Sequence, residues 1–189
     1  RRHRLCCSPY SGSPCRFTFA LLNGREMKVI FADIDGVLNC QRTPNPRKFP
    51  YIVDQKLVAR LRHLVKRSKA KVVLSSTWRY DPIGVLAAKT FKIPFIDCLP
   101  DLPEQPRRNE ILKWLSEHPT VTRYAVIDDE DDELDELPLF QPTKETGLSP
   151  EIVRAVCDYL AGKRKKDMRR NTVVRLFQNA KAALKMHPG

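Results

Sequence analysis

The chain has 189 residues, 42% hydrophobic and 30% charged, which suits a single soluble globular domain with a full apolar core. No apolar run approaches the ~20 residues needed to span a bilayer, and six cysteines without a C-x-x-C pair argue against both a disulfide scaffold and a cysteine metal site. The net charge of +12 belongs to the ends: residues 1–26 sum to +4, residues 161–189 to +8, and residues 27–160 to zero. A basic tail is drawn to nucleic acid or acidic surfaces, or simply keeps a protein soluble.

Three domain-level segments follow. Residues 1–26 precede the first methionine, Met27, and read as a non-native or disordered extension, with a short basic arm as the alternative. Their apolar patch, FTFALL, is too short for a signal-peptide core of about 7–15 residues. Residues 27–161 form the main domain. Residues 162–189 form a basic helical tail in which Val173, Phe177, Ala180 and Leu184 share a face. That helix packs on the core, meets a partner or meets nucleic acid. The cysteine usage and the apolar core fit a reducing cytoplasm. The four histidines are scattered and outline no zinc site.

Within the main domain, KVIFAD (28–33) predicts a strand buried on both faces, because its apolar run is continuous rather than alternating. Residues 40–51 are a loop broken by Pro44, Pro46 and Pro50. Residues 54–68 predict a helix with Asp54 as N-cap and one apolar stripe of Leu57, Val58, Leu61, Leu64 and Val65. Residues 70–74 predict a second buried strand ending in Ser75, Ser76 and Thr77. A short helix near 83–90, a strand at 94–97, a Pro-rich loop at 98–107 and a helix at 108–117 follow. Residues 122–127 predict a strand that runs into DDEDDELDE. Residues 138–141 form a short strand, and 149–161 a helix capped by Ser149 with Pro150 at its first position. Strands alternating with helices predict an α/β fold, a three-layer sandwich with a parallel, Rossmann-like sheet.

Ligands in an open parallel sheet bind beyond the carboxyl ends of the strands. Three features fall at such ends: Asp33 with Asp35, the hydroxyls at 75–77, and Asp128 with Asp129. Gathered carboxylates repel one another unless they share a cation, and hard oxygen ligands suit Mg²⁺. A carboxylate can attack phosphorus to form an aspartyl-phosphate, and a second one two residues on can protonate the leaving oxygen and then activate water. Gly36 lets the chain turn tightly beside the substrate, and the hydroxyls can hold phosphoryl oxygens in line.

The stretches FADIDGVLN, VVLSSTWR and AVIDDED resemble the first, second and fourth motifs of the haloacid dehalogenase-like (HAD) superfamily of phosphohydrolases. With RNEILKWL and TKETGLS added, the span of about 28–160 resembles the HAD domains grouped with Swiss Army Knife RNA-repair proteins. The resemblance implies that Asp33 is the nucleophile and a Mg²⁺ ligand. It makes Asp35 the general acid/base, with its backbone carbonyl on Mg²⁺. Asp128 and Asp129 complete the metal site. Ser75, with Ser76 as the alternative, holds a phosphoryl oxygen. Arg108, with Arg107 second, is the basic residue that neutralises the phosphate. Arg79 reaches a second phosphate or a nucleic-acid backbone, or else sits in a surface salt bridge.

In 128–136, eight of nine residues are acidic, and only the first two fit the motif. The rest are expected to form a solvated loop that repels surplus anions. The short first loop leaves room for little or no cap domain, so the site is expected to be open and to admit a nucleic-acid end or a phosphoprotein. The implied function is a Mg²⁺-dependent phosphomonoesterase. The alternatives are a non-catalytic module whose basic tail binds nucleic acid or a protein, and a phosphotransferase or mutase.

Overall fold

A computed structural model describes residues 26–163. The inferred N-terminal extension, save Glu26, and the basic helix placed after residue 163 lie outside the described residues. The chain runs β1 (Met27–Ala32), α1 (Gln55–Ser68), β2 (Lys71–Leu74), a 3₁₀ turn (Thr77–Tyr80), α2 (Pro82–Thr90) and β3 (Phe95–Cys98). It continues through α3 (Arg107–Glu117), β4 (Val121–Ile127), β5 (Leu139–Phe140) and α4 (Pro150–Leu160).

The helices start where their caps dictate. Asp54 accepts from Lys56 N at 2.7 Å, Asp81 from Ile83 N at 2.8 Å, and Ser149 from Ile152 N at 3.4 Å. Pro82 and Pro150 open α2 and α4, where a missing N–H costs nothing. The 3₁₀ turn was not foreseen. Its residues carry no helical apolar period, and it forms because Ser76 caps Trp78 N at 3.4 Å.

All five strands are parallel, in the order β3-β2-β1-β4-β5. Alternate residues of β1 serve two cores. Ile30 and Ala32 pack with α1 and α4 residues such as Leu61 and Val156. Val29 and Phe31 pack against Ile111 and Trp114 of α3. This three-layer α/β sandwich explains why β1 shows no hydrophobic alternation: both of its faces are covered.

Two features position the site. Ala32 is level with Leu74 on one side and with Ile127 on the other, so Asp33, Ser75 and Asp128 leave the sheet side by side. The connections 33–54 and 99–106 contain neither helix nor strand, so among the described residues no cap domain stands over that edge. The acidic loop departs from expectation. Leu134 is fully buried and Leu137 nearly so, and both enter the α3-side core. Burying these two leucines fastens a segment that its charge alone would leave in solvent.

Candidate active site

Asp33 follows β1 directly and is 8% exposed. Its Oδ1 accepts from Ile34 N at 2.8 Å. Burial, then the charge of Asp128, push its carboxyl up to about 7, against the downward pull of Arg107, the Ile34 N–H and the Ser76 hydroxyl. Asp128 is fully buried and Asp129 half-buried, and burial raises both carboxyls. One carboxylate oxygen from each of Asp33, Asp128 and Asp129 lies within 4.8 Å of the others.

Asp35 is not one of this trio. Its Oδ1 accepts from Asn39 Nδ2 at 2.7 Å and its Oδ2 from Trp78 Nε1 at 2.8 Å. Asn39 also accepts from Gly36 N at 2.9 Å and donates to the Ile52 carbonyl at 3.0 Å, which closes the D-x-D-G turn. Gly36 has φ +69°, and a Cβ there would lie 2.2 Å from Cγ of Asp129. The turn and the close approach of the two strand ends both require glycine at this position.

At the end of β2 the structure separates the two serines. Both are fully buried. The Ser76 hydroxyl bonds Asp33, whereas Ser75 Oγ has no partner among the described residues. The hydroxyl bonded to the first aspartate is thus that of Ser76, the alternative to Ser75. Thr77 of the following turn lines the cleft.

Arg79 does not reach outward. Its side chain is 4% exposed and pairs with Glu110 at 2.5 Å. It donates to the Ser75 carbonyl and, at 3.0 Å, to the Ser76 carbonyl. Neither a substrate-facing arginine nor a surface salt bridge describes it: it is a buried brace under the 75–76 turn.

The basic residue beside the aspartates is Arg107, not the expected Arg108. Arg107 Nη1 bonds Asp128 Oδ2 and lies 3.7 Å from Asp33 Oδ2, and Nε lies 3.6 Å from Asp132. Burial lowers its affinity for the proton, but Asp128 and Asp33 outweigh that and raise it, so Arg107 stays charged. Arg108 points along the neighbouring face and pairs with Glu136 at 2.6 Å. One residue of helix turns a side chain by about 100°, so these adjacent arginines cannot share a direction. The contacts of Asp132 and Glu136 also tie the acidic loop to α3.

Lys144, which sequence reasoning passed over inside TKETGLS, reaches Asp129 Oδ2 at 3.6 Å and Glu130 Oε1 at 2.8 Å. Asp33, Asp35, Thr77, Arg107, Asp129 and Lys144 line an open cleft of about 360 Å³. Three converging carboxylates, one of them pushed near neutrality, form a hard oxygen donor set that suits a divalent cation such as Mg²⁺.

A parallel α/β sheet with a D-x-D-G turn after its first strand and an acidic pair after its fourth defines a HAD-like domain. Residues 29–153 match the family described as the HAD domain in Swiss Army Knife RNA repair proteins, and the chain belongs to that family. No curated protein matches it.

Proposed function

We propose that the chain is a Mg²⁺-dependent phosphomonoesterase that works through an aspartyl-phosphate at Asp33 and acts on the phosphorylated ends of nucleic acids. The observation that carries this reading is the division of labour between two neighbouring carboxylates. Asp33 sits in the acidic trio, while Asp35 is held out of it by Trp78 and Asn39.

Asp33 attacks phosphorus, the ester P–O bond breaks, and Asp35 gives its proton to the departing oxygen. Asp35 then takes a proton from water, which attacks the phosphoryl group. The bond from Asp33 to phosphorus breaks, and inorganic phosphate leaves. Ser76 and Arg107 bind the phosphoryl oxygens. The carboxylates of Asp33, Asp128 and Asp129, with the main-chain carbonyl of Asp35, would hold Mg²⁺, which would neutralise carboxylate and phosphoryl charge.

An uncapped cleft suits a large substrate, and the family is that of HAD domains in RNA repair proteins. No helix among the described residues is long and apolar enough to cross a membrane. We place the protein in the cytoplasm on its cysteine usage.

The test is phosphate release with and without Mg²⁺, from an aryl phosphate, 3′- and 5′-phosphorylated oligonucleotides and a phosphopeptide. Release that needs Mg²⁺, disappears in Asp33→Asn and favours the oligonucleotides is the expected result. No release from any substrate would leave a non-catalytic binding domain.

A further inference from the structure

The loop between β1 and α1 has a composition unlike its surroundings. Residues 37–53 contain Arg42, Arg47 and Lys48 and no acid, whereas the segment 128–136 is almost wholly acidic. All three cations are exposed. Directly after Lys48 comes Phe49, 55% exposed.

A lone exposed phenylalanine is ordinary, but this one is clamped. Asn45 Nδ2 donates to the Phe49 carbonyl at 2.9 Å, and Phe49 N donates back to Asn45 Oδ1 at 2.9 Å. Lys48 takes φ 51°, which turns the chain just before Phe49, and Lys48 N donates to the Asn45 carbonyl at 3.1 Å. Pro44, Pro46 and Pro50 fix three more φ angles. The loop thus fixes the Phe49 backbone with hydrogen bonds and prolines while the residue stands exposed.

Both ends of the loop are tied to the cleft mouth. Gln41 N donates to the Lys144 carbonyl at 2.9 Å, and both residues line the cleft. The Ile52 carbonyl accepts from Asn39, which in turn holds Asp35. Phe49 is three residues from Ile52, so its Cα lies within about 11 Å of it. The first nucleotides behind a terminal phosphate cover such a span.

We propose that loop 40–51 is a single-strand nucleic-acid platform. Phe49 stacks an unpaired base close to the scissile phosphate, and Arg42, Arg47 and Lys48 meet the backbone phosphates behind it. Stacking on an aromatic ring needs a free base face, which the paired interior of a duplex does not offer. An acidic protein segment would be attracted by the three cations but offers no base to stack on the exposed ring. The proposal rests on the phosphatase reading only for what happens at the end of the bound strand.

The test measures fluorescence anisotropy of a mixed-sequence oligonucleotide without terminal phosphate, as RNA and as DNA, binding to the full chain. Phe49→Ala is expected to weaken single-strand binding about 5- to 150-fold, the range of base–aromatic stacking, and Phe49→Trp to retain it. The double variant Arg47→Ala/Lys48→Ala is expected to flatten the salt dependence by about 0.7 in log–log slope per cation. Lys66→Ala, an exposed position in the last turn of α1, serves as control. Unchanged affinity in Phe49→Ala overturns the proposal, as does equal binding of a blunt duplex. So does a Phe49 dependence seen for an acidic peptide but not for oligonucleotides. Aryl phosphate turnover by the unaltered chain is read separately. Phe49-dependent binding without turnover would sink the phosphatase reading and keep the platform; turnover with Phe49-independent binding would do the reverse.

Discussion

The indole of Trp78 donates to one oxygen of Asp35 at 2.8 Å while Asn39 donates to the other at 2.7 Å. Neither donor can accept, so a proton on Asp35 must occupy a lone pair that both leave free. The two bonds fix which edge of the carboxyl faces the cleft. Trp78 is itself nearly buried and packs edge-on against Tyr51 with ring centroids 4.9 Å apart. Tyr51 in turn bonds Asp81, the cap of α2.

Trp78→Phe keeps the ring packing and removes the donor. General acid–base catalysis contributes about 10²–10⁴-fold, and a mispositioned Asp35 is expected to forfeit about 10–10²-fold of it. An alkyl phosphate, whose leaving oxygen needs the proton, should slow more than an aryl phosphate. Equal losses on both would mean that Trp78 only supports the fold.

The two adjacent arginines should behave differently. Arg107→Ala leaves buried Asp33 and Asp128 without their guanidinium and is expected to lower phosphate release by at least about 10²-fold, the scale of a lost charge-stabilising donor. Arg108→Ala removes a partly exposed pair with Glu136, so its cost is about 0–1 kcal/mol and turnover is expected to be unchanged. Parallel steady-state kinetics and urea titrations check both. Comparable kinetic losses would mean that the arrangement around α3 is wrong.

This contrast marks where sequence reading stops. Strand ends were legible because continuous apolar runs terminate abruptly at Asp33, Ser75 and Asp128, and the parallel topology then brings those ends together. Helix starts were legible at Asp54, Ser149 and Pro150 because capping is local chemistry. The choice between Arg107 and Arg108 was not legible, since it depends on the rotation of α3 about its own axis, set by Ile111 and Trp114 against β1 and β4. Ser75 against Ser76 is the same problem at the end of a strand. The brace at Arg79 was illegible because its partner, Glu110, is 31 residues away on α3, in a position that reads as ordinary helix surface. The leucines that fasten the acidic loop were visible as letters, but eight acids around them outweighed the signal.

Arg79 and Glu110 form an ion pair with side chains 4% and 3% exposed. Removing one partner of such a pair leaves an uncompensated buried charge. Glu110→Ala is therefore expected to cost about 3–5 kcal/mol in urea unfolding. Its effect should reach the site, because Arg79 holds the Ser75 and Ser76 carbonyls. A loss under about 1 kcal/mol would mean that the pair is solvated and is no brace.

The acidic trio predicts an unusual pH dependence. The Asp33 carboxyl sits near 7 in the folded chain against 3.8 for the ordinary side chain, so the folded state holds its proton more tightly. The contribution is fully present below about pH 3.8 and is lost as pH rises through about 7. Asp128 and Asp129 shift in the same direction. Without metal, the chain is therefore expected to lose on the order of a few kcal/mol from this site between pH 4 and 7, and Asp33→Asn should flatten that loss. A cation held by the trio competes with the same protons. Mg²⁺ is thus expected to raise the melting temperature clearly at pH 8 and little at pH 5, and the raise should shrink in Asp128→Asn. Thermal unfolding in EDTA and in Mg²⁺ at both pH values reads this directly. Equal Mg²⁺ gains at both pH values would mean that the ion binds elsewhere, for example on the exposed acids of 130–136.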